Sequence, residues 1–144
     1  MAAMKFRYKE VEARPTEAFP QKTKTYRPIV PVVLEYENKK IGCEALLDSG
    51  ADWNLLPSVI GEIVGIDIES GKKQPFGGIG GGSFVAYFRE VIIFVGGWPI
   101  KVPCGFSSDI PDGSMGVLGH VGFFDRFITR FDTSKLEVEL KKIT

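Results

Sequence analysis

An aspartate follows a short apolar run in the segment ALLDSGAD (45–52). The run at 45–47 is typical of the end of a buried strand, and Ser49 and Gly50 favour a sharp turn directly after Asp48. A carboxylate at the mouth of an apolar strand loses part of its hydration, which suits it to proton transfer. Taken alone, however, the tripeptide is more typical of an ordinary turn that is capped by its own side chains.

A glycine-rich stretch, PFGGIGGGSF (75–84), contains five glycines between Gly77 and Gly82. The glycines do not fall in the G-x-G-x-x-G register of a dinucleotide site, and no Lys precedes Ser83 as a Walker loop requires. A phosphate cradle is therefore excluded. Since the stretch lies between a polar segment and a strongly β-prone one, it predicts the tip of a hairpin rather than a linker.

Composition excludes several classes of function. The 144 residues include 18 basic and 18 acidic side chains, so the net charge gives no support to nucleic-acid or anionic-membrane partners. Apolar stretches are too short to span a bilayer, and the N-terminus lacks the apolar core of a signal peptide. With only His120 and two widely spaced cysteines, we expect one cytoplasmic domain without a metal or a cofactor. The spacing of Cys43 and Cys104 favours two buried reduced thiols over a disulfide.

The elements that must position Asp48 are mostly strands. The segment KFRYKEVE (5–12) predicts an edge strand, and RPIVPVVLEYENKKIGCEALLDSG predicts two strands joined at ENKK. The segment from Ser83 to Ser107 predicts long strands with a tight turn at Gly96 and Gly97, and the chain closes with a hairpin at DTSK.

The sequence predicts few helices. Apolar residues recur at helical intervals after Pro57 and Ser58, and a second short helix is expected after Gly122. Mostly short strands with one or two short helices favour a small closed β-structure over a regular sandwich.

Taken together, ALLDSGAD, the glycine-rich tip and GVLGHVGFFD (116–125) resemble the retropepsins, the single-domain aspartic proteases of retroviruses. More narrowly, the order that includes KFRYK and GFFDRF resembles bacterial retropepsin-like proteins. The resemblance implies a mainly β fold, a small closed β-barrel of the retropepsin (acid protease) type with one or two short helices and a flap hairpin. It also implies a protease domain at 26–144 behind an N-terminal extension at 1–25.

The resemblance implies an aspartic endopeptidase that acts on peptide or protein substrates. Such an enzyme needs two carboxylates that share one proton. Because the sequence contains one Asp-Ser/Thr-Gly, activity would require a homodimer in which Asp48 of each chain meets its copy. Asp48 would be the catalytic acid and base, with Ser49 and Gly50 completing the catalytic turn.

The resemblance also gives roles to residues outside the catalytic turn. A histidine, His120, stands where viral members usually place an arginine. It is more typical of an ordinary surface or helix-start histidine, and it could pair with Asp52 only when protonated. Trp53 either narrows a substrate subsite or packs internally. The residues expected to bind substrate are Ala51, Asp52, Gly77, Gly78, Ile79, Gly80 and Gly81, and those expected to support the catalytic turn are Val117, Leu118 and Gly119.

Two other functions remain open at this point. A retropepsin-fold module that binds peptides with little or no turnover would keep the groove and the flap without bringing two Asp48 side chains together. A small β-barrel of unrelated kind would leave Asp48 in an ordinary turn. The intact Asp-Ser-Gly-Ala sequence favours the enzyme, since a binding module has no need of a carboxylate there.

Overall fold

The computed structural model of the protein describes residues 3–77 and 82–143. Strands dominate it, and its elements in chain order are β1 (Met4–Arg7), β2 (Lys9–Glu12), β3 (Lys24–Arg27), β4 (Ile29–Tyr36), β5 (Lys39–Leu47), β6 (Leu55–Pro57), α1 (Ser58–Ile63), a 3-10 helix (Ile68–Ser70), β7 (Lys72–Gly77), β8 (Ser83–Val95), β9 (Trp98–Ser107), β10 (Gly116–Leu118), β11 (Phe127–Asp132) and β12 (Glu137–Lys142).

Seven of these strands form one sheet in the order β4-β5-β10-β6-β9-β8-β7. The sheet closes on itself because β4 also pairs with β8, from Val32 opposite Val95 to Glu35 opposite Ile92. Two of its pairings, β5 with β10 and β6 with β9, are parallel, and the others are antiparallel. The prediction of a mainly β fold that closes on itself is confirmed.

The two ends of the chain meet in a separate three-stranded sheet of order β1-β12-β11. In it, β12 lies between the N-terminal strand and the preceding strand of the C-terminal hairpin, with Phe6 opposite Val138. Strands β2 and β3 form a third, two-stranded sheet. The N-terminal and C-terminal segments therefore share one hydrogen-bonded unit.

The core lies inside the closed sheet and is built by strand alternation. In β4, the inward side chains Val30, Val32 and Leu34 are at most 3 % exposed, whereas Pro31 between them faces solvent. Helix α1 and the segment after it add Val64 and other buried side chains to the same core. Removing this apolar surface from water is the main stabilising term of such a fold.

Two tight hairpin turns form at the positions that the sequence predicts. Glu37 and Asn38 link β4 to β5 with φ of 46° and 67°, and Gly96 and Gly97 link β8 to β9 with φ of 56° and 80°. Two successive residues with positive φ define the turn that matches the twist of a tight hairpin. Helix α1 begins after Pro57, also as predicted.

Two sequence predictions are wrong in detail. Residues 5–12 do not form one strand, because the chain changes partner at Tyr8: β1 pairs with β12 and β2 pairs with β3. The segment after Gly122 forms successive turns rather than a helix, and the second short helix is the 3-10 helix that begins at Ile68. Gly122 has a φ of 106°, which breaks a helical path at its start.

Candidate active site

Asp48 lies directly after β5, in a turn that is held by main-chain hydrogen bonds. Its N–H donates to the carbonyl of Leu118 at 3.0 Å, and its own carbonyl accepts the N–H of Ala51 at 3.0 Å. Its carboxylate oxygen Oδ1 accepts the N–H of Gly50 at 2.9 Å. The turn is the one expected of Asp-Ser-Gly, and it fixes the direction of the carboxylate relative to the strand.

Strand β10 supports this turn from the side. It runs parallel to β5, with Val117 opposite Leu46 and Leu118 opposite Leu47, and Val117 also pairs with Leu55 of β6. The carboxyl ends of parallel strands meet at one edge of a sheet, so the chain leaving β10 passes beside the chain leaving β5. The structure thus brings together the Asp48 turn and the segment that sequence reasoning chose as its support.

Gly119 occupies a position with no room for a side chain. A Cβ there would lie 2.6 Å from the carbonyl oxygen of Ala51 and 2.7 and 2.8 Å from the carbonyl oxygen and nitrogen of Trp53. All three atoms are backbone, so they cannot move aside without shifting the loop that carries Asp48 and Asp52. The close approach of two backbones is therefore what requires glycine here.

Asn54 is a residue of the site that sequence reasoning missed. It is fully buried, its Oδ1 accepts the N–H of Gly119 at 3.0 Å, and its carbonyl accepts the N–H of Gly105 at 2.8 Å. It therefore ties the loop after Asp48 to both β10 and β9. The available signal was its position in WNLLP, since an amide within an apolar run must find buried partners.

His120 braces the Asp48 turn by a contact that the sequence did not predict. Its Nε2 lies 2.5 Å from the carbonyl oxygen of Ser49, and its ring packs against Phe124 with centroids 5.5 Å apart. Because a carbonyl oxygen only accepts, Nε2 must carry the proton in this contact. Among the described residues no ion pair joins His120 to Asp52, and the main-chain N–H groups of His120 and Val121 donate instead to the carbonyl oxygens of Ala51 and Asp52.

The β7–β8 hairpin carries aromatic side chains, and one of them contacts the loop after Asp48. Phe76 and Phe84 are opposite each other in the hairpin, and their rings stack with centroids 4.8 Å apart. The ring of Phe88 lies 6.0 Å from that of Phe76, centroid to centroid. Trp53 packs edge-on against Phe88, with ring centroids 5.8 Å apart. Trp53 thus connects the loop after Asp48 to the hairpin.

The hairpin's tip lies only partly within the described residues. Gly77 ends β7 opposite Ser83, and no atom lies within 4 Å of where its Cβ would be. Gly78, Ile79, Gly80 and Gly81 lie outside the described residues.

Asp48 opens into a cavity of about 430 Å³ that is lined by residues from both ends of the chain. Its lining residues are Tyr8, Arg27, Pro28, Leu46, Leu47, Asp48, Ser49, Phe131 and Thr133. A larger, mainly apolar cavity of about 680 Å³ lies elsewhere, on the outer face of β4 and β5 beside Gly96 and Gly97. That cavity is larger, but its carboxylate, Glu44, is an exposed side chain that forms an ion pair with Lys9, and Asp48 is not part of its lining.

Both cysteines are free. Burial, with a smaller contribution from the Glu44 charge, raises the pKa of Cys43 to about 11. Burial also raises the pKa of Cys104, more strongly, because that thiol is fully enclosed. These thiols are therefore protonated and unreactive near neutral pH. Within residues 3–77 and 82–143, no group of His, Cys, Asp and Glu side chains could hold a metal ion, and no helix is long and apolar enough to cross a membrane.

Comparison with solved structures identifies the fold. The chain is similar to a retropepsin-like aspartic protease from Rickettsia conorii, with a TM-score of 0.63 and 17 % sequence identity over 97 % of this chain and 99 % of that one. It is also similar to EIAV protease complexed with the inhibitor HBY-793, with a TM-score of 0.49 and 26 % identity over 65 % of this chain and 82 % of that one. No protein-family model matches the chain, and no curated protein does.

The chain therefore has a retropepsin-like fold, and the resemblance inferred from its motifs is confirmed at that level. The likeness extends over nearly the whole of both chains and so includes the N-terminal strands and the C-terminal hairpin. At 17 % identity it establishes the fold alone.

Proposed function

We propose that this protein is an aspartic endopeptidase that is active as a homodimer, in which the Asp48 carboxylates of two chains act on one water molecule. The observation that carries the proposal is the turn at residues 48–50. In a retropepsin-like fold, it presents a carboxylate at the end of β5 and is braced by β10 and by His120.

One carboxylate is too few for this chemistry. In aspartic proteases, an ionised carboxylate takes a proton from the attacking water while a protonated one polarises the scissile carbonyl. The chain contains a single Asp-Ser/Thr-Gly sequence, so the second carboxylate must come from another copy. A monomer would be inactive, and a dimer would place the two Asp48 side chains across a two-fold axis.

The surface near Asp48 is suited to such an association. Phe131 is 39 % exposed and lines the Asp48 cavity, and Val121, whose N–H donates to the carbonyl of Asp52, is 38 % exposed. Large apolar side chains that remain in water around one site favour burial against another molecule. We propose that they contribute to the dimer interface, beside Ser49 and His120.

Substrate would lie between the Asp48 turn and the β7–β8 hairpin, which we propose acts as the flap. The glycine backbone at 77–81, with Ile79, would contact the bound peptide, and closure would exclude water from the carboxylates. Ala51 and the exposed Asp52 would bind substrate backbone from the opposite side. Residues 26–144 would form the protease domain, and the extension at 1–25 would contribute β1 to the terminal sheet.

Peptide cleavage tests this function. A peptide library would be incubated with wild type and with Asp48→Asn across about pH 4 to 7, at several protein concentrations, and products would be identified by mass spectrometry. We expect cleavage by wild type that rises faster than linearly with protein concentration, and none by the variant.

A silent wild type at concentrations where sedimentation shows a dimer would contradict the proposal. In that case, binding of the same peptides without turnover would favour the peptide-binding module instead. Equal cleavage by wild type and by Asp48→Asn would mean that the catalytic group lies elsewhere.

A further inference from the structure

One arm of the β7–β8 hairpin extends beyond the strand that flanks it. Strand β8 pairs with β9 only from Tyr87 onward, where Tyr87 lies opposite Phe106. Residues 83–86 pair with β7 on one edge, and no strand of the described residues pairs with their other edge. Unpaired backbone groups at such an edge are normally satisfied by water and give the arm freedom to move.

At Val85 this free edge is held by side chains instead. The N–H of Val85 donates to Oδ2 of Asp109 at 2.9 Å, and the carbonyl of Val85 accepts the hydroxyl of Ser107 at 2.6 Å. The N–H of Asp109 in turn donates to the Ser107 hydroxyl oxygen at 3.1 Å. Two side chains thus satisfy both main-chain groups of Val85, as a third strand would.

The main-chain groups of Val85 have no alternative partner in β7. A residue of an antiparallel strand directs its N–H and its carbonyl to the same edge, and those of Val85 point away from its register partner Pro75. Ser107 is fully buried, so releasing Val85 would leave its hydroxyl without that acceptor, whereas Asp109 is exposed and could exchange Val85 for water. The hydrogen bond from Ser107 to the Val85 carbonyl is therefore costly to break, whereas water can replace the Asp109 carboxylate at the Val85 N–H.

The chain that follows Ser107 also leads to β10, the strand that supports the Asp48 turn. It passes through Asp109 and the loop at 108–115 and enters β10 at Gly116, two residues before the carbonyl of Leu118 that binds Asp48. A displacement of Val85 would therefore also displace the segment that precedes β10.

We propose that Ser107 and Asp109 form a latch that holds the β8 arm at Val85 and sets how readily the flap moves over the active site. This inference rests on the proposed function, because it assumes that the β7–β8 hairpin is the flap. Ser107 and Asp109 would be positioning residues, since neither contacts Asp48. Opening the latch would free residues 83–86 while leaving the closed sheet intact.

Hydrogen exchange measures the latch without any need for activity. Exchange of the Val85 amide would be followed by NMR in wild type and in Asp109→Ala, Asp109→Asn and Ser107→Ala. The matched control is Asp112→Ala, an exposed aspartate in the same loop. We expect Asp109→Ala to speed Val85 exchange by about tenfold or more, with amides of β4 and β9 unchanged, and Asp109→Asn to restore much of the protection because its amide oxygen still accepts.

Cleavage kinetics then test what the latch does. We expect Asp109→Ala to alter kcat/KM by about tenfold and Asp112→Ala to leave it unchanged, with Asp109→Asn close to wild type. Unchanged Val85 exchange in Asp109→Ala would refute the latch, as would faster exchange with wild-type kcat/KM. Faster Val85 exchange in a protein that cleaves no peptide would instead overturn the proposed function and, with it, the role of the latch in a flap.

Discussion

Gly119→Ala is the substitution whose effect follows most directly from the structure. The added methyl would stand 2.6 to 2.8 Å from three backbone atoms of Ala51 and Trp53. None of these can rotate away, so either β10 or the loop at 51–53 must move. That loop continues directly from the Asp48 turn, and therefore the substitution acts on the site as well as on stability.

The magnitude has two parts. Overpacking a well-filled site costs about 1–3 kcal/mol, and the contacts here lie at the severe end because they involve backbone. A shift of Gly119 also strains its buried hydrogen bond to Asn54, whose loss costs a further 1–3 kcal/mol. We expect a total loss of about 3 kcal/mol in the free energy of unfolding, which for a chain of this size lowers Tm by roughly 10 °C.

Urea unfolding followed by tryptophan fluorescence would measure the loss, and the chain offers a matched control. A Cβ at Gly42 in β5 would meet nothing closer than the carbonyl oxygen of Val32 at 4.0 Å, so Gly42→Ala should be neutral or slightly stabilising. We expect Gly119→Ala alone to lose peptide cleavage. If the two variants differed by less than about 0.5 kcal/mol, the close approach of β10 to the 51–53 loop would be refuted.

Further predictions concern the braces, one buried thiol and one surface carboxylate. Asn54→Ala should cost roughly 2 kcal/mol in urea unfolding, because it leaves the Gly119 N–H buried without an acceptor. His120→Ala should lower kcat about tenfold while His120→Gln, which keeps a donor, recovers part of it; equal rates in both would contradict the brace. Cys104, which is fully buried, should react with a thiol reagent near neutral pH only after unfolding, and fast labelling of that thiol in the native protein would disprove its burial. Hydrogen bonds from the Ser134 hydroxyl and then the Lys135 N–H lower the pKa of Asp132, so its contribution to stability should be present above the ordinary carboxyl pKa and be lost as pH falls through the lowered value. Asp132→Asn should therefore flatten the acid limb of a stability-versus-pH curve, and an unchanged limb would contradict this.

Features that depend on neighbouring residues could be predicted from the sequence. The hairpins at Glu37 and at Gly96 follow from local turn preferences, and the Asp48 turn is encoded in three consecutive residues. The break at Tyr8 could not be predicted, because it depends on β12, which is more than a hundred residues away in the chain. The segment after Gly122 does not form the predicted helix because the N–H groups of His120 and Val121, just before it, bond to the loop at 51–52 and Gly122 itself takes a φ of 106°.

The roles of the residues that brace the site could not be predicted from the sequence for the same reason. Asn54 reaches Gly119, His120 reaches Ser49 and Asp109 reaches Val85, and each pair is far apart in sequence. A polar residue reveals such a role only through its partner, which the fold supplies. Their side chains are common in loops and turns, so composition alone could not distinguish a brace from an ordinary surface residue.

The hydrogen bonds around Asp48 also explain why, on the proposed function, the chain would need a second copy. The Asp48 backbone is fixed by Leu118 and Ala51, and the turn by His120, all within one chain. Its side chain, by contrast, has only the Gly50 N–H among these partners. Folding therefore orients the carboxylate but provides no second acid, so on the proposed function the remaining step is association. It follows that Asp48→Asn should leave the monomer's unfolding curve close to wild type while abolishing cleavage. A large loss of monomer stability in that variant would mean that Asp48 serves the fold rather than the reaction.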